Sequence, residues 1–442
     1  MFKCIIMGAA GRDFHDFKTF FARHPEFRVQ AFTATQIPFI EQRSYPASLA
    51  GPEYAEENPI YDESELAELI PRLGIHFVFF AYSDISHREV MHRASMVQAA
   101  GASFVLLGPA QTMLDSRRIV VAITATRTGA GKSPLTQWLA ASFVGEGVGV
   151  AVLRHPMPYG NLEKQAVQRF ATLEDFDHYQ CTIEEREEYE PYVRQGLVIF
   201  SGVDYQAILR AAEQEAELIL WDGGNNDFSF IRPDLSIVVS DALRAGHGLD
   251  YYPGETNLRG ADILVINKVS GASEQDIAKI RALRDELNPT AELLTADLEV
   301  SVDDPGLLAG RRVLVVEDGP TVTHGGMAYG AGLVAARRYG LDRLVDPRGC
   351  AVGSIRDTLD TFDQLREVLP AMGYSDRQRA ELKESIEKSG AEVVLNASPA
   401  DIASLLELAI PVVQVRYRFV PREGEDIMAR VRALLAGAPV DR

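Results

Sequence analysis

The chain has 442 residues and a formal net charge of −19 at neutral pH, with apolar and charged fractions ordinary for a globular protein. That charge argues against nucleic-acid or anionic-membrane partners, because the chain as a whole repels both and no concentrated basic run overrides the field. Cys4, Cys181 and Cys350 have neither metal-ligand spacing nor a disulfide framework, and no apolar run approaches the roughly 20 residues that span a bilayer, so a reducing, cytoplasmic setting is expected.

Residues 1–117 alternate strand and helix. A strand at 4–7 runs into the turn Gly8-Ala9-Ala10-Gly11-Arg12-Asp13, followed by a helix over 14–24 and a strand at 29–33. Strand 77–81, a helix over 86–100 and strand 104–107 follow, a parallel, Rossmann-like layout. The Gly8–Gly11 turn lacks a full G-x-G-x-x-G fingerprint and reads either as a tight connection or as an anion site at a helix start. Ser83-Asp84-Ile85-Ser86-His87 puts polar residues at a strand's carboxyl end, with Ser86 alternatively a plain helix N-cap.

A second domain, 118–300, continues the alternation. A third, 301–442, carries strand 313–316, helices near 327–339, 355–369 and 376–389, and strands 393–396 and 412–419. The expected class is α/β: a Rossmann-like N-terminal domain, a P-loop NTPase domain and a C-terminal α/β extension that completes the substrate site. The acidic run Glu184–Glu190 reads as a solvated helix face.

The most informative stretch is Thr126-Arg127-Thr128-Gly129-Ala130-Gly131-Lys132-Ser133, between an apolar strand and a helix. A phosphate cradle needs inward N–H groups, small residues for close approach, a lysine for the β and γ phosphates and a hydroxyl for Mg²⁺. Thr128, Gly129, Ala130, Gly131, Lys132 and Ser133 meet these needs, although Thr126 stands where the usual pattern has glycine. The form T-x-T-G-x-G-K-S resembles the loop of the dethiobiotin synthetase branch of P-loop proteins. Asp222, ending the apolar run Leu218–Trp221, is the candidate Mg²⁺ partner of Ser133, with Asp227 a second metal or general-base candidate. Asn267-Lys268-Val269-Ser270 stands where GTPases keep N-K-x-D to grip guanine; with Ser270 for aspartate, ATP is favoured over GTP. Asn267 and Lys268 are nucleotide-binding candidates, and Thr295-Ala296 a further edge for the base.

Several strand-end loops hold more cations and imidazoles than triphosphate binding requires. Arg154, His155 and Tyr159 follow one strand, Arg244, His247, Glu255 and Arg259 another, and Glu317 to Met327, with His324, a third. In an acidic chain this placement suggests a pocket for a polyanion, with Arg127 reaching the transferred phosphoryl alongside Lys132 and Asp222.

The strings Arg154-His155-Pro156-Met157-Pro158-Tyr159-Gly160, Asp222-Gly223-Gly224-Asn225-Asn226-Asp227, Tyr251-Tyr252-Pro253-Gly254-Glu255-Thr256-Asn257-Leu258-Arg259 and Glu317-Asp318-Gly319-Pro320-Thr321 resemble cyclic 2,3-diphosphoglycerate synthetase over nearly the whole chain. The resemblance implies an ATP- and Mg²⁺-dependent ligase, a homo-oligomer such as a dimer, that closes 2,3-bisphosphoglycerate into its cyclic anhydride. Rival expectations are a nucleotide-driven switch or metallochaperone, whose Cys/His cluster is missing, and a kinase or ligase acting on another small anion.

Overall fold

Short apolar runs bounded by Gly, Asp and Asn become fully buried parallel strands, because helices cover both faces of such sheets and leave no wet side. A computed structural model of the chain describes residues 1–9, 11–35, 44–51, 54, 56–156, 161–323, 328–372 and 375–437. The fold is α/β. Two compact units are present: Met1–Arg169 with Val198–Ala296 and Arg422–Arg442, and Phe170–Leu197 with Asp297–Pro421.

In the first unit, residues 1–117 form a six-stranded sheet with Phe2–Met7 between Phe27–Ala34 and Phe77–Phe80. Its strands run parallel except the short Ser44–Tyr45 at the edge. The helix expected over 14–24 begins earlier, as Arg12–Asp16, and widens into a π-helix over Phe17–Phe21. Phe14, Phe17, Phe20 and Phe21 all face the core, so side-chain packing rather than ideal helix geometry sets this segment.

The same unit holds a second parallel sheet. Ile119–Ala125 lies at its centre, between Leu218–Asp222 and Leu235–Asp241. Val150–Arg154 and Ile263–Asn267 extend it on either side. Each of these strands is buried along almost its whole length, and their carboxyl ends meet the loops that carry the polar residues. No helix among the described residues is long and apolar enough to cross a membrane.

The second unit is built on Val313–Glu317, Val393–Asn396 and Val412–Gly424 in parallel, the last running back into the first unit. The acidic run corrects an expectation. It lies on the helix Ile183–Val193, yet Glu185, Glu187 and Glu190 are only 3%, 5% and 3% exposed. Glu185 closes a capping box with Thr182, Glu187 accepts from the Ser398 hydroxyl, and Glu190 pairs with Arg194. A run of like charges reads as solvated only while its partners, such as Ser398 far along the chain, are out of sight.

The backbone at Gly254 passes close against the phosphate loop: a Cβ there would stand 2.2 Å from the Thr126 carbonyl oxygen. Gly254→Ala is therefore expected to displace that loop and cost about 1–3 kcal/mol of stability. Urea denaturation alongside Mg-ATP affinity checks this; a variant unchanged in both would show that the loop tolerates the shift.

Candidate active site

The phosphate loop leaves the sheet with a carboxylate on each side. Asp222 ends the strand to one side of Ile119–Ala125 and Asp241 the strand to the other. Two positive φ values bend the loop, 78° at Gly129 and 109° at Gly131, a region that glycine enters without a Cβ clash. The helix Lys132–Gly145 starts directly after it, with Pro134 in the first turn where no N–H is missed. Its free N–H groups and dipole make an anion site of this end.

Lys132 is buried, and burial pushes its ammonium down to about 8, with Arg154 and Arg244 adding to the effect against Asp222 and Asp84. The side chain thus stays largely charged at neutral pH. Arg154, from the neighbouring strand, forms an ion pair with fully buried Asp222 and donates to the Ser133 hydroxyl at 2.9 Å. The two oxygen donors expected to hold Mg²⁺ therefore converge on one guanidinium, the type of position a cation suits. A carboxylate plus a hydroxyl is a hard-oxygen set that fits Mg²⁺ completed by water and phosphate oxygens.

Asn267 and Lys268 act on the loop itself. Asn267 donates to the Ala130 carbonyl at 2.8 Å, and Lys268 to the Gly129 carbonyl at 2.7 Å. Lys268 takes a left-handed conformation, φ 62°, as it turns toward the loop. Arg244 joins the bracing, donating to the Thr128 carbonyl at 2.8 Å, and both cations share Asp241, at 2.8 and 3.0 Å.

Residues 1–117 reach into the same region. Arg12 donates to Asp227 at 3.3 Å, to the Phe80 carbonyl at 3.3 Å and to the Tyr252 hydroxyl at 3.0 Å, and lies over the rings of Phe228 and Tyr252. Burial pushes the Asp227 carboxyl up to about 7 and that of Asp16 up to about 8, with Arg12 opposing both shifts. His155 lies 3.5 Å from Asp227, and burial drives its imidazole down to about 3, so it is neutral at physiological pH. Gly11 and Gly224 seat that ring: a Cβ at Gly11 would stand 1.9 Å from its Nε2 and one at Gly224 2.8 Å from its Cβ. Asp84 meets Arg127 at 3.4 Å and accepts from the Thr128 N–H at 3.2 Å.

Arg127, Thr128, Gly129, Ala130, Gly131, Lys132, Ser133, Arg154, Asp222, Arg244, Asn267 and Lys268 are thus brought together, and His155 joins through Asp227. Glu255 and Arg259 pair with each other at 2.7 Å along one short helix, and the Arg259 side chain is 53% exposed. The His247 ring lies tilted beside that of Tyr251, their centroids 5.1 Å apart, and, chiefly through burial, its imidazole is held below its usual range. Tyr159 and His324 lie outside the described residues, and Glu317 belongs to the second unit, where it accepts from the N–H groups of Gly330, Gly332 and Leu333.

Sequence alone does not mark Arg12, Asp16, Tyr251, Tyr252 and Asn226 individually as site residues; the Gly8–Asp13 turn, the loop after Asp222 and the string from Tyr251 to Arg259 are the signals nearest to them. Asn226 is fully buried, and neither its amide oxygen nor its amide nitrogen has a hydrogen-bond partner. Such a group marks where a polar ligand atom is expected.

No family model matches the chain. It is 54% identical over 415 residues to the arginine synthetase ArcE of Thermococcus kodakarensis, an alignment that covers 94% of this chain and 93% of that protein. The chain belongs to the arginine synthetase ArcE family. That relative bears the name of a synthetase, as expected, but not of cyclic 2,3-diphosphoglycerate synthesis. Among solved structures, the ATP complex of LpxK from Aquifex aeolicus matches at 11% identity and TM-score 0.39, over 84% of this chain and 99% of that one. The hydrogenase maturation factor HypB of Archaeoglobus fulgidus matches at 16% identity and TM-score 0.26, over 41% of this chain and 81% of that one. The cobyrinic acid a,c-diamide synthase of Mycobacterium smegmatis, solved with an ATP analogue and magnesium, matches at 14% identity and TM-score 0.20, over 51% and 81%.

Lys132→Ala is expected to abolish ATP turnover, measured as ADP release; an intact rate would remove the loop from the chemistry. Asp16 gives a pH signature. Its folded carboxyl titrates near 8 against an ordinary 3.8, so between those values the folded chain keeps a proton that the unfolded chain releases. Stability from this group is complete below the lower value and falls as pH rises through the upper one. Measured from pH 5 to 8, the native protein should lose stability relative to Asp16→Asn; a constant difference would contradict the assignment.

Proposed function

We propose that the chain is an ATP-dependent ligase that forms a guanidino group of the arginine type. The observation that carries this reading is the 54% identity, along nearly the full length of both chains, to a protein named arginine synthetase. The chemistry suits a phosphate-loop site. A ureido oxygen attacks the γ-phosphorus and ADP leaves; ammonia then attacks the ureido carbon, and the C–O bond breaks to release phosphate. The spare proton of the attacking ammonia goes to a base, and a guanidinium remains.

Each of these roles has a candidate residue in the site. Lys132 and Arg127 would neutralise charge on the transferred phosphoryl. Ser133 and Asp222 would hold Mg²⁺, which when bound offsets phosphate charge. Asp227, whose carboxyl burial brings near neutrality, is suited to take the proton. The buried amide of Asn226 beside it offers a donor and an acceptor to a ureido or guanidino group. Ser270, exposed in the turn Val269–Gly271, offers no carboxylate to guanine, which favours ATP.

Charge balance separates this reading from the synthesis of cyclic 2,3-diphosphoglycerate, the second reading, which the sequence strings favour. 2,3-Bisphosphoglycerate asks for a surplus of cations. Here Arg12 meets Asp227, Arg127 meets Asp84, Arg154 meets Asp222, and Arg244 and Lys268 meet Asp241. A substrate that is neutral at its reacting end suits such a site better. Incubating the protein with Mg-ATP, ammonium and citrulline should give arginine by mass spectrometry, with one ADP per arginine. No arginine, together with a cyclic pyrophosphate by phosphorus NMR when 2,3-bisphosphoglycerate is supplied, would overturn the first reading in favour of the second.

A further inference from the structure

The loop at 83–87 has no part in the reaction as set out above, yet one of its side chains lies against the phosphate loop. Asp84 leaves the central region of the sheet in residues 1–117, just past the strand Phe77–Phe80, and takes a left-handed conformation with φ 57°. A non-glycine residue there is strained, and such strain gathers where surrounding structure fixes a side chain for a purpose. Two contacts fix it. One oxygen accepts from the Thr128 N–H at 3.2 Å, and the other lies 3.4 Å from Nε of Arg127.

Arg127 is held on a second side as well. Its guanidinium carbon lies 3.4 Å from the centre of the Tyr251 ring, within cation–π range. Tyr251 and the Asp84 loop arrive together, because Tyr251–Tyr252 pairs antiparallel with Ile85–Ser86 and the His87 N–H donates to the Asp250 carbonyl at 2.9 Å. The side chains of Arg127 and Asp84 are only 7% and 11% exposed, so their attraction is little screened by water. A flexible arginine is thereby left with one plane and one edge already committed.

We propose that Asp84 is a positioning residue for phosphoryl transfer: with Tyr251 it orients Arg127 at the phosphate loop, and residues 1–117 thereby complete a site whose lysine lies elsewhere. The proposal rests on phosphoryl transfer from ATP in the reading above, and not on the identity of the acceptor. Asp84 touches neither nucleotide nor acceptor in this role. Its removal changes how often Arg127 is correctly placed, so the loss appears in kcat more than in KM.

The test is a double-mutant cycle in the full-length chain, read as Mg-ATP-dependent ADP release. Asp84→Asn should lower kcat about tenfold or more while the KM for ATP stays within about threefold. Arg127→Ala should cost about a hundredfold. Adding Asp84→Asn to Arg127→Ala should then cost less than about twofold, because the residue it positions is gone. Equal losses in both backgrounds, or a loss confined to KM, would overturn the proposal. Should Asp84→Asn melt below the native protein, Tyr251→Leu offers the same test from the other side of Arg127, and Asp84→Glu should recover part of kcat. An unsubstituted protein that releases no ADP with any acceptor would sink the phosphoryl-transfer reading and this proposal together, whereas additive losses sink the proposal alone.

Discussion

Buried charge needs a buried partner, and around the phosphate loop nearly every side chain answers to that requirement. Removing one member of such a pair typically costs about 3–5 kcal/mol, because the charge left behind is both desolvated and uncompensated. Asp222 is completely buried and survives as a strand end because Arg154 lies in register beside it on the next strand. Asp241 performs the same service on the other flank for Arg244 and Lys268, whose remaining donors hold the loop carbonyls of Thr128 and Gly129. The loop's shape is thus set from outside, by cations that are themselves held by carboxylates.

The same constraint reaches into residues 1–117. Arg12 is buried, and burial alone would favour its neutral form; Tyr252, Asp227 and Asp16 outweigh that and keep it charged. Asp227 and Asp16 face the opposite pressure and titrate near neutrality. A guanidinium from one segment is therefore joined to a carboxylate from another, against the rings of Phe228 and Tyr252. His155, neutral and wedged against two glycines, fills the space between them. An arrangement in which Arg12, Arg127, Arg154, Arg244 and Lys268 each meet a carboxylate differs from a pocket of surplus cations.

The α/β class and most strands were legible because short apolar runs and Gly or Asp punctuation are local signals. The strand, loop and helix of the phosphate site followed from one continuous stretch, Ile119 to Gly145. Ionic partners were less accessible. Arg154 and Arg259 each directly follow a leucine, and both stand in strings that read as substrate loops. One proves to be buried against Asp222, while the other forms a half-exposed i,i+4 pair with Glu255. The acidic helix Ile183–Val193 gave the same lesson in reverse, since the hydroxyl that covers Glu187 comes from Ser398.

By itself the sequence determined the phosphate loop with its strand and helix, because chain proximity dictates that those groups meet, and it marked Asp222 as the polar end of an apolar run, which sheet pairing then set beside the loop strand. Tertiary structure alone decided what the arginines do. A guanidinium is drawn to whichever carboxylate, ring or phosphate is nearest, and nearness across 43 residues, from Asp84 to Arg127, or 215, from Arg12 to Asp227, is created only when the sheets assemble.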